Sequence, residues 1–234
     1  MIPAYNEEAR LGLTLDGWCA FLDANPMEAE IVVSDDGSKD ATAAFVARRA
    51  EADPRIRLHR LAENQGKGGA VREGMLAATG SFRFYVDADL NIAPDHVLPA
   101  LELLKSRADL VVGKRSLSEY ASEEKSVARV VAGALVQITR RLLVLPVISD
   151  TQCGFKGFRA DLADRVFGAT LIRSFAFDIE ALFLARRANA RIVALPVSVT
   201  FRDASTYSLR KHLPRFLGDI LRIRLNAIRG RYHP

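Results

Sequence analysis

The sequence predicts an α/β fold, a single domain in which a mixed, mostly parallel sheet is flanked by helices. Short runs of β-branched and aromatic residues alternate with longer segments whose apolar residues recur at helical spacing. The chain has 234 residues, of which 49% are hydrophobic, and this suffices for one large core. Acidic residues directly follow two of the predicted strands, and ligands of open α/β sheets bind at such strand ends.

The composition narrows the class of partner and the cellular setting. A net charge of +5 favours anionic partners such as nucleotide phosphates, nucleic acid or an acidic lipid face. Cys19 and Cys153 lie far apart and give neither a disulfide framework nor a metal spacing, which favours a reducing compartment. No signal peptide is recognised, and no apolar run of about 18 residues occurs, so no transmembrane helix is expected.

The first predicted elements place acidic residues beside a tight turn. The residues ahead of Tyr5 look like the end of a strand that is otherwise almost absent, so a truncated first strand is expected. Asp35 and Asp36 follow the second strand, where a carboxylate can accept a hydrogen bond from a base N–H or a ribose hydroxyl, or cap an Asp-Gly turn. The predicted elements are a helix over 9–24, a strand over 30–34, a helix over 41–52 and a strand over 56–59.

A glycine-rich loop over 64–69 contains Lys67 and opens the next helix. Backbone N–H groups, the helix N-terminus and the lysine ammonium together favour an anion. The spacings of a Walker A loop and of a dinucleotide fingerprint are both absent. The loop therefore predicts an anion site without specifying its ligand.

A short buried strand over 82–86 ends in two carboxylates, Asp87 and Asp89, with Ala88 between them. Two anions at a strand end are costly unless positive charge balances them. A divalent cation that carries a diphosphate would do so, and oxygen ligands suit Mg²⁺ or Mn²⁺ rather than Zn²⁺. The alternative is a strand-end turn with two solvated aspartates.

Basic residues follow the next strand, predicted over 109–113 after a helix over 94–105. Arg115 could hold a second phosphate by bidentate hydrogen bonds, or remain a solvated side chain. A polar loop is predicted over 118–126. The apolar segment 127–147 is interrupted by arginines and fits either a core helix or a helix in a membrane interface.

The segment 150–159 is predicted to be a compact polar-aromatic loop that forms one wall of an active site. Asp150 could act there as a general base, orient an acceptor or cap a helix. Asp178 falls in the first turn of the following helix, where its charge complements the helix dipole. A last strand over 191–199 and a loop over 201–207 follow.

Residues 208–234 are predicted to form a basic amphipathic helix, separate from a main domain over 1–207. Arginine and lysine far outnumber the single acid, Asp219. This pattern is typical of an element on a membrane surface, or of a helix packed on the domain with a solvated basic face. Few aromatic residues interleave with the charges and no reading motif appears, so nucleic acid is not expected as a partner.

Taken together, these motifs resemble the family-2 inverting glycosyltransferases of the GT-A fold, with a Rossmann-like nucleotide-binding half. The resemblance rests on the runs 3–8, 35–38, 64–68 and 87–89. The runs 150–156 and 177–180 narrow it to the polyprenyl-phosphate sugar transferases, and among them most to the dolichyl-phosphate glucosyltransferases. The sequence departs from the usual pattern of this family in two respects. It has the run Ser205–Ser208 where relatives often carry Gly-Ser-Lys, and it lacks the transmembrane helices that many relatives have.

The resemblance implies roles for individual residues. It places the base and ribose against Pro3, Ala4, Tyr5, Glu7 and Asp36, with Lys67 near the nucleotide. It implies that Asp87 and Asp89 bind the diphosphate through Mg²⁺ or Mn²⁺, with Ala88 between them and Asn91 as an additional ligand. It implies that Arg115 and Arg129 hold the acceptor phosphate.

The implied reaction is transfer of a hexose, with glucose favoured, from a nucleotide sugar to a polyprenyl phosphate. UDP-glucose is the favoured donor and GDP-mannose the other candidate, and the enzyme is expected to lie peripherally on the cytoplasmic face of a membrane. One alternative is transfer to a sugar hydroxyl, with Asp150 as the base that a hydroxyl requires. Another is a nucleotide-sugar-binding module without turnover. The sequence leaves the oligomeric state open.

Overall fold

The computed structural model describes residues 1–115, 150–200 and 209–232. Within these ranges the strands and helices alternate almost throughout, and a short 3₁₀ turn, Pro94–His96, precedes the fourth helix. The strands are β1 Ile2–Ala4, β2 Ile31–Asp35, β3 Ile56–Arg60, β4 Phe82–Val86, β5 Leu110–Arg115, β6 Phe155–Arg159 and β7 Ile192–Val197. The helices are α1 Leu11–Ala24, α2 Thr42–Ala52, α3 Lys67–Ala77, α4 Val97–Ser106, α5 Ala160–Ala169, α6 Phe177–Arg187 and α7 Leu209–Ile228.

The strands form two sheets that meet at the N-terminus. The first has three parallel strands in the order β1-β2-β3, and the second has four in the order β4-β6-β5-β7. Only β6 runs antiparallel to its neighbours, so the second sheet is mixed. The amine of Met1 donates to the Phe84 carbonyl at 2.7 Å, and the Val86 N–H donates to the Met1 carbonyl at 3.0 Å. These bonds join β1 to β4 and confirm the predicted mixed, mostly parallel α/β architecture.

Two apolar clusters form the core on the two sides of the sheets. One cluster packs α1 and α4 against the strands, with Leu11, Leu15 and Leu104 fully buried. The other packs α3, α5 and α6 against the opposite face, and Phe216 and Ile220 of α7 insert into it. Burial of these side chains on both faces explains why the strands read as nearly continuous apolar runs. It also fixes the strand ends, where the polar residues collect.

The first sheet and the helices around it follow the sequence prediction closely, whereas the segment 150–159 does not. We expected a loop there, but Phe155–Arg159 is strand β6, one of the two inner strands of the second sheet, and α5 follows it directly. Charged residues such as Lys156 and Arg159 indicate an exposed loop rather than an inner strand. The prediction was wrong because the Lys156 side chain is completely buried, paired with Asp178. The helix α5 was not predicted at all.

Several predictions concern residues that the structure does not describe. These are the loop over 118–126, the apolar segment 127–147 with Arg129, the loop over 201–207 and the run Ser205–Ser208. The first strand has three residues. In the part of the chain that the structure covers, no helix is both long and apolar enough to cross a bilayer.

Candidate active site

Three polar segments converge where β1, β2 and β4 end. The Asp36 N–H donates to the Ala4 carbonyl at 2.8 Å, which ties the turn after β2 to the end of β1. The Asn6 N–H donates to the Ser38 hydroxyl at 2.9 Å, and Asn6 itself has a left-handed backbone with φ 54°. These bonds hold the two strand ends at one edge, as expected for a ligand site in an open α/β sheet.

Asp36 organises the glycine-rich loop. Its two carboxylate oxygens accept the Gln65 N–H at 2.7 Å and the Gly66 N–H at 2.9 Å. Gly66 has φ 83°, and a Cβ there would lie 2.5 Å from the Arg173 carbonyl oxygen, so a side chain is excluded. Burial raises the pKa of Asp36, although these backbone hydrogen bonds act in the opposite direction. The carboxylate therefore fixes the loop from which Lys67 extends.

Lys67 reaches from the start of α3 to the end of β4, where its ammonium donates to Asp87 at 2.6 Å. Burial acts to lower the pKa of Lys67, but the carboxylates of Asp87, Asp178 and Asp89 outweigh it and raise that pKa. Burial likewise acts to raise the pKa of Asp87, and Lys67 outweighs it, so that the pKa is lowered. The two predicted site residues thus form one charged pair that is ionised at neutral pH.

The chain turns sharply after Asp87, and this turn shapes the metal-ligand candidates. The Thr14 hydroxyl donates to the Ala88 carbonyl at 2.6 Å and fixes the turn from below. Asn91 donates to Asp89 twice, from its backbone at 3.1 Å and from its side-chain amide at 2.7 Å. Leu90 between them has φ 51°, a left-handed conformation that closes the turn. Asp87, Asp89 and Asn91 consequently face one small cavity.

That cavity has a volume of about 90 Å³ and combines carboxylates with an arginine. Asp87, Asp89, Asn91 and Arg115 line it, together with Gln152 and Gly154. A Cβ at Gly154 would lie 2.1 Å from an Asp87 carboxylate oxygen, so the start of β6 packs directly against Asp87. The side chains predicted to bind the diphosphate and the acceptor phosphate are therefore brought to the same place.

The oxygen ligands in this cavity fit a magnesium or manganese ion. Among the residues that the structure describes, no group of three or more His, Cys, Asp or Glu side chains is arranged to hold a metal. Asp87 and Asp89 supply two carboxylates and Asn91 an amide oxygen. Mg²⁺ commonly binds through one or two carboxylates together with phosphate oxygens of its substrate. The chemistry of these ligands therefore suits a cation that arrives with a diphosphate.

Arg115 and Asp150, the two predicted catalytic residues, bind each other. The guanidinium donates to both carboxylate oxygens at 2.9 Å, and the Arg115 backbone N–H adds a third bond at 3.1 Å. Burial acts to raise the pKa of Asp150, but Arg115 outweighs it and lowers that pKa. An aspartate with a lowered pKa is a poor proton acceptor, so this geometry favours a positioning role for Asp150 over that of a base.

A buried ion pair beneath the cavity was not predicted. The Lys156 ammonium donates to Asp178 at 2.7 Å and to the Cys153 carbonyl at 2.8 Å, and the Tyr85 hydroxyl also donates to Asp178. Burial lowers the pKa of Lys156 to about 7, although Cys153, Asp150 and Asp87 act in the opposite direction. Burial also raises the pKa of Asp178, and Lys67 acts against this shift. We expected Asp178 only to complement the helix dipole; in addition, it anchors β4 and β6.

Apart from Asp36, the residues predicted to surround the base and ribose lie at the end of β1 or just after it. Pro3 and Ala4 are buried within the strand, whereas Tyr5 is exposed. The Glu7 carboxylate accepts two hydrogen bonds from Arg10, both at 2.8 Å. Burial raises the pKa of Glu7 against this pairing. Of the predicted site residues, Arg129 alone lies outside the described ranges.

The family model for glycosyl transferase family 2 matches residues 1–167, which is more than half of the chain. This chain therefore belongs to glycosyl transferase family 2, and it is an enzyme of the glycosyltransferase class. The resemblance inferred from the motifs is confirmed by relatives named dolichyl-phosphate beta-glucosyltransferase. That of Dictyostelium discoideum is 35% identical over 98% of this chain and 74% of the relative. That of Homo sapiens is 30% identical over 98% of this chain and 75% of the relative.

Solved structures confirm the GT-A fold. A glucosyl-3-phosphoglycerate synthase from Mycobacterium tuberculosis in complex with uridine diphosphate matches with a TM-score of 0.69 at 22% identity, covering 96% of this chain and 77% of that one. The same synthase in complex with Mn²⁺, UDP-glucose and phosphoglyceric acid matches with a TM-score of 0.68 at 20% identity, and the match covers 96% of this chain and 77% of that one. A mannosyl-3-phosphoglycerate synthase from Rubrobacter xylanophilus matches with a TM-score of 0.69 at 15% identity, and the match covers 100% of this chain and 74% of that one.

Proposed function

We propose that this glycosyltransferase moves glucose from UDP-glucose to a dolichyl-type polyprenyl phosphate, with inversion at the anomeric carbon. The observation that carries the proposal is the cavity in which Asp87, Asp89 and Arg115 meet. It offers ligands for a metal–diphosphate beside a cationic side chain suited to a phosphate. The names of the relatives, and the Mn²⁺ and UDP-glucose in a structural neighbour, support this choice of substrates and metal.

On the donor side, Asp87, Asp89 and Asn91 would hold Mg²⁺ or Mn²⁺. Bound there, the cation would offset the negative charge that develops on the departing diphosphate. Lys67 adds a fixed positive charge at 2.6 Å from Asp87, at the N-terminus of α3. The Asp36 turn and the end of β1, with Tyr5 and Glu7, form the adjacent wall proposed for the base and ribose.

On the acceptor side, the structure favours a phosphate over a hydroxyl. A phosphate monoester has a second pKa of about 6, so it is ionised near neutral pH and needs no strong base. A sugar hydroxyl would need one, and Asp150 is bound to Arg115 through both carboxylate oxygens. We propose that Asp150 holds Arg115 in place and that Arg115 orients the acceptor phosphate for in-line attack.

We also propose that the enzyme acts as a peripheral protein on the cytoplasmic face of a membrane. A polyprenyl acceptor is anchored in the bilayer by its hydrocarbon chain, so the catalytic cavity must approach the headgroup region. The basic helix α7 is the candidate for a contact with that surface, because Arg215, Arg222 and Arg224 are exposed on it.

Transfer of labelled sugar tests the proposed function directly. The protein is incubated with UDP-[¹⁴C]glucose, Mg²⁺ or Mn²⁺ and a polyprenyl phosphate, and GDP-mannose serves as the alternative donor. We expect a labelled lipid that depends on the metal and on UDP-glucose. Turnover only with a soluble sugar acceptor would favour the hydroxyl reaction instead. Binding of UDP-glucose without transfer to any acceptor would identify a binding module and contradict the proposal.

A further inference from the structure

The C-terminal helix α7 carries a second apolar surface, opposite the one that packs on the core. Phe216, Ile220 and Ile223 are buried in the core. Three further apolar residues are exposed, Leu221 at 51%, Leu225 at 48% and Ile228 at 72%. Their spacing of four and three residues places them on one face of the helix, within an arc of about 60°. We refer to these three residues as the outer stripe.

Arginines border the outer stripe on both sides. At about 100° per residue, Arg224 lies on one side of the stripe and Arg222 and Arg229 lie on the other. All three are exposed. The only acidic residue of the helix, Asp219, is buried, accepts a hydrogen bond from the Ser174 hydroxyl at 2.6 Å and lies 3.7 Å from the guanidinium of Arg222. The exposed half of this part of α7 therefore combines apolar side chains with positive charge and has no acid.

The helix is fixed in this orientation. Besides the contact between Asp219 and Ser174, the Tyr232 hydroxyl donates to Glu180 at 2.7 Å, and the Tyr232 ring packs on Phe183. These bonds lie on the core side, at the middle and just beyond the end of α7. Rotation of the helix to bury the outer stripe would break them and expose Ile220 and Ile223. The apolar side chains therefore stay outward unless something external covers them.

We propose that the outer stripe and its arginines dock onto the surface of an anionic lipid bilayer. Leu221, Leu225 and Ile228 would enter the boundary between headgroups and acyl chains. The flanking arginines would bind lipid phosphates, for which a guanidinium is well suited. The inference rests on the proposed function in one respect, since docking would hold the catalytic domain at the bilayer that contains the acceptor.

A second copy of the chain fits this surface less well. In a two-fold dimer the same patch faces itself, so the arginines beside the stripe would oppose one another with no exposed carboxylate on the helix to pair with them. Three side chains also fall far short of the roughly 1,200–2,000 Å² that a stable protein interface buries. Charge complementarity therefore favours an anionic lipid surface.

Vesicle flotation tests the proposal independently of catalysis. The full chain is mixed with phosphatidylcholine vesicles, either pure or containing phosphatidylserine. We expect it to float with the anionic vesicles only, and to be released by high salt. Equal binding to both vesicle types, or to neither, would overturn the proposal.

Two pairs of matched variants test whether the outer stripe and its arginines bind the vesicles. Leu221→Glu/Leu225→Glu should weaken binding to anionic vesicles by on the order of tenfold, whereas Leu13→Glu, which replaces a leucine that is 67% exposed on α1, should not. Arg224→Gln/Arg229→Gln should weaken it about fivefold for each arginine, whereas Arg48→Gln/Arg107→Gln should not. If the leucine and arginine variants of α7 bound anionic vesicles as tightly as the wild type does, the proposal would be contradicted.

Two further measurements keep the proposal testable if the glutamate variants fold poorly or if another occupant covers the stripe. The fluorescence of Leu225→Trp should shift to the blue with anionic vesicles, whereas that of Leu13→Trp should not. Light scattering without vesicles should show the same oligomeric state for wild type and Leu221→Glu/Leu225→Glu. Loss of a dimer in this variant, with vesicle binding unchanged, would show that the stripe is covered by a second copy and overturn the proposal.

A soluble acceptor separates this proposal from the proposed function. With a short-chain, water-soluble prenyl phosphate, the outer-stripe variants should transfer glucose at the wild-type rate. With a long-chain acceptor in anionic vesicles, their rate should fall about as much as their binding. Equal rates on the two acceptors would count against docking, while absence of transfer with both acceptors would reject the proposed function and leave flotation to decide on docking.

Discussion

The two ends of strand β5 carry the same kind of ion pair in different surroundings. At the start of the strand, Arg191 donates to both carboxylate oxygens of Asp109, at 2.8 and 2.9 Å. At the end, Arg115 donates to both oxygens of Asp150 at 2.9 Å. The Arg191 side chain is 61% exposed and the Arg115 side chain 30%. Only the second pair borders the cavity that contains Asp87 and Asp89.

The comparison shows that an arginine–aspartate pair does not by itself identify a functional site. The pair at the start of β5 joins two neighbouring strands in solvent, where such pairs contribute little to stability. The pair at the end of β5 is near further charges, from Lys67–Asp87 and Lys156–Asp178. The end of β5 differs from its start by this concentration of partly buried charge beside a cavity, a feature typical of catalytic sites.

Replacement of Asp87 should give the largest difference between the two ends. Asp87→Asn removes a proposed metal ligand and the partner of Lys67, so the rate of glucose transfer should fall on the order of a thousandfold. Asp109→Asn at the other end should leave the rate within about twofold, because a surface substitution of this kind rarely costs much. Comparable losses in both variants, measured at saturating metal, would remove the distinction between the two ends.

Removal of one partner of the buried Lys156–Asp178 pair should strongly destabilise the fold. Lys156→Met leaves Asp178 buried without its cation and should cost about 3–5 kcal/mol in the free energy of unfolding, measured with urea. The double variant Lys156→Met/Asp178→Leu removes both charges and should regain much of that loss. A single variant as stable as wild type would show that the pair does not support the sheet beneath the cavity.

Replacement of the two arginines by glutamine compares the ends of β5 most closely. Arg115→Gln removes charge-assisted hydrogen bonds to the proposed acceptor phosphate, and kcat/KM for the acceptor should fall about ten- to hundredfold. KM for UDP-glucose should change little. Arg191→Gln, the matched control, should leave both substrates unaffected. An Arg115→Gln enzyme that is impaired only toward the donor would assign this arginine to the diphosphate instead.

A smaller effect is expected at the glycine-rich loop. Asp36→Asn keeps one acceptor oxygen but places an amide group beside a backbone N–H, so one of the two loop bonds should be lost at a cost of about 1–2 kcal/mol. KM for UDP-glucose should rise, while KM for the acceptor should not. The reverse pattern of KM values would be incompatible with a role for this turn in holding the nucleotide.

The smallest expected effect is a pH dependence at the start of β5. Arg191 lowers the pKa of Asp109 from 3.8 to about 2. The pair therefore contributes stability above about pH 4, and this contribution is lost as the pH falls toward 2. Thermal unfolding of wild type and Asp109→Asn should differ slightly at pH 5 and converge near pH 2. A difference that grows on acidification would contradict this assignment.

The sequence predicted that the residues of the proposed donor side lie close together, because its signals there are local. Asp36 and Asp87 each follow an apolar strand directly, and Lys67 lies in a loop whose glycines show that backbone must approach something closely. Parallel strands bring such strand ends to one edge whatever the details of packing. The fold class, and the meeting of Asp87, Asp89 and Asn91 at one cavity, could be predicted for the same reason.

The buried ion pair and the orientation of α7 could not be predicted, because they depend on contacts between distant segments. Lys156 and Asp178 are 22 residues apart, and each charge is acceptable in the core only because the other is present. The local signal for β6 was weak, because Phe155 and Phe158 are three residues apart and do not follow the alternation of a strand. In α7 the helical periodicity was recognised, but apolar residues occur on two faces, so the sequence could not decide which face is buried.

Binding of UDP in the presence and absence of Mn²⁺ tests the central claim most directly, because it needs no acceptor. Calorimetry with the wild-type chain should show UDP binding that is strengthened at least tenfold by Mn²⁺, since on this proposal the cation would link Asp87 and Asp89 to the diphosphate. In Asp87→Asn/Asp89→Asn, Mn²⁺ should no longer strengthen UDP binding. An equal effect of Mn²⁺ in the wild type and this variant would contradict the account.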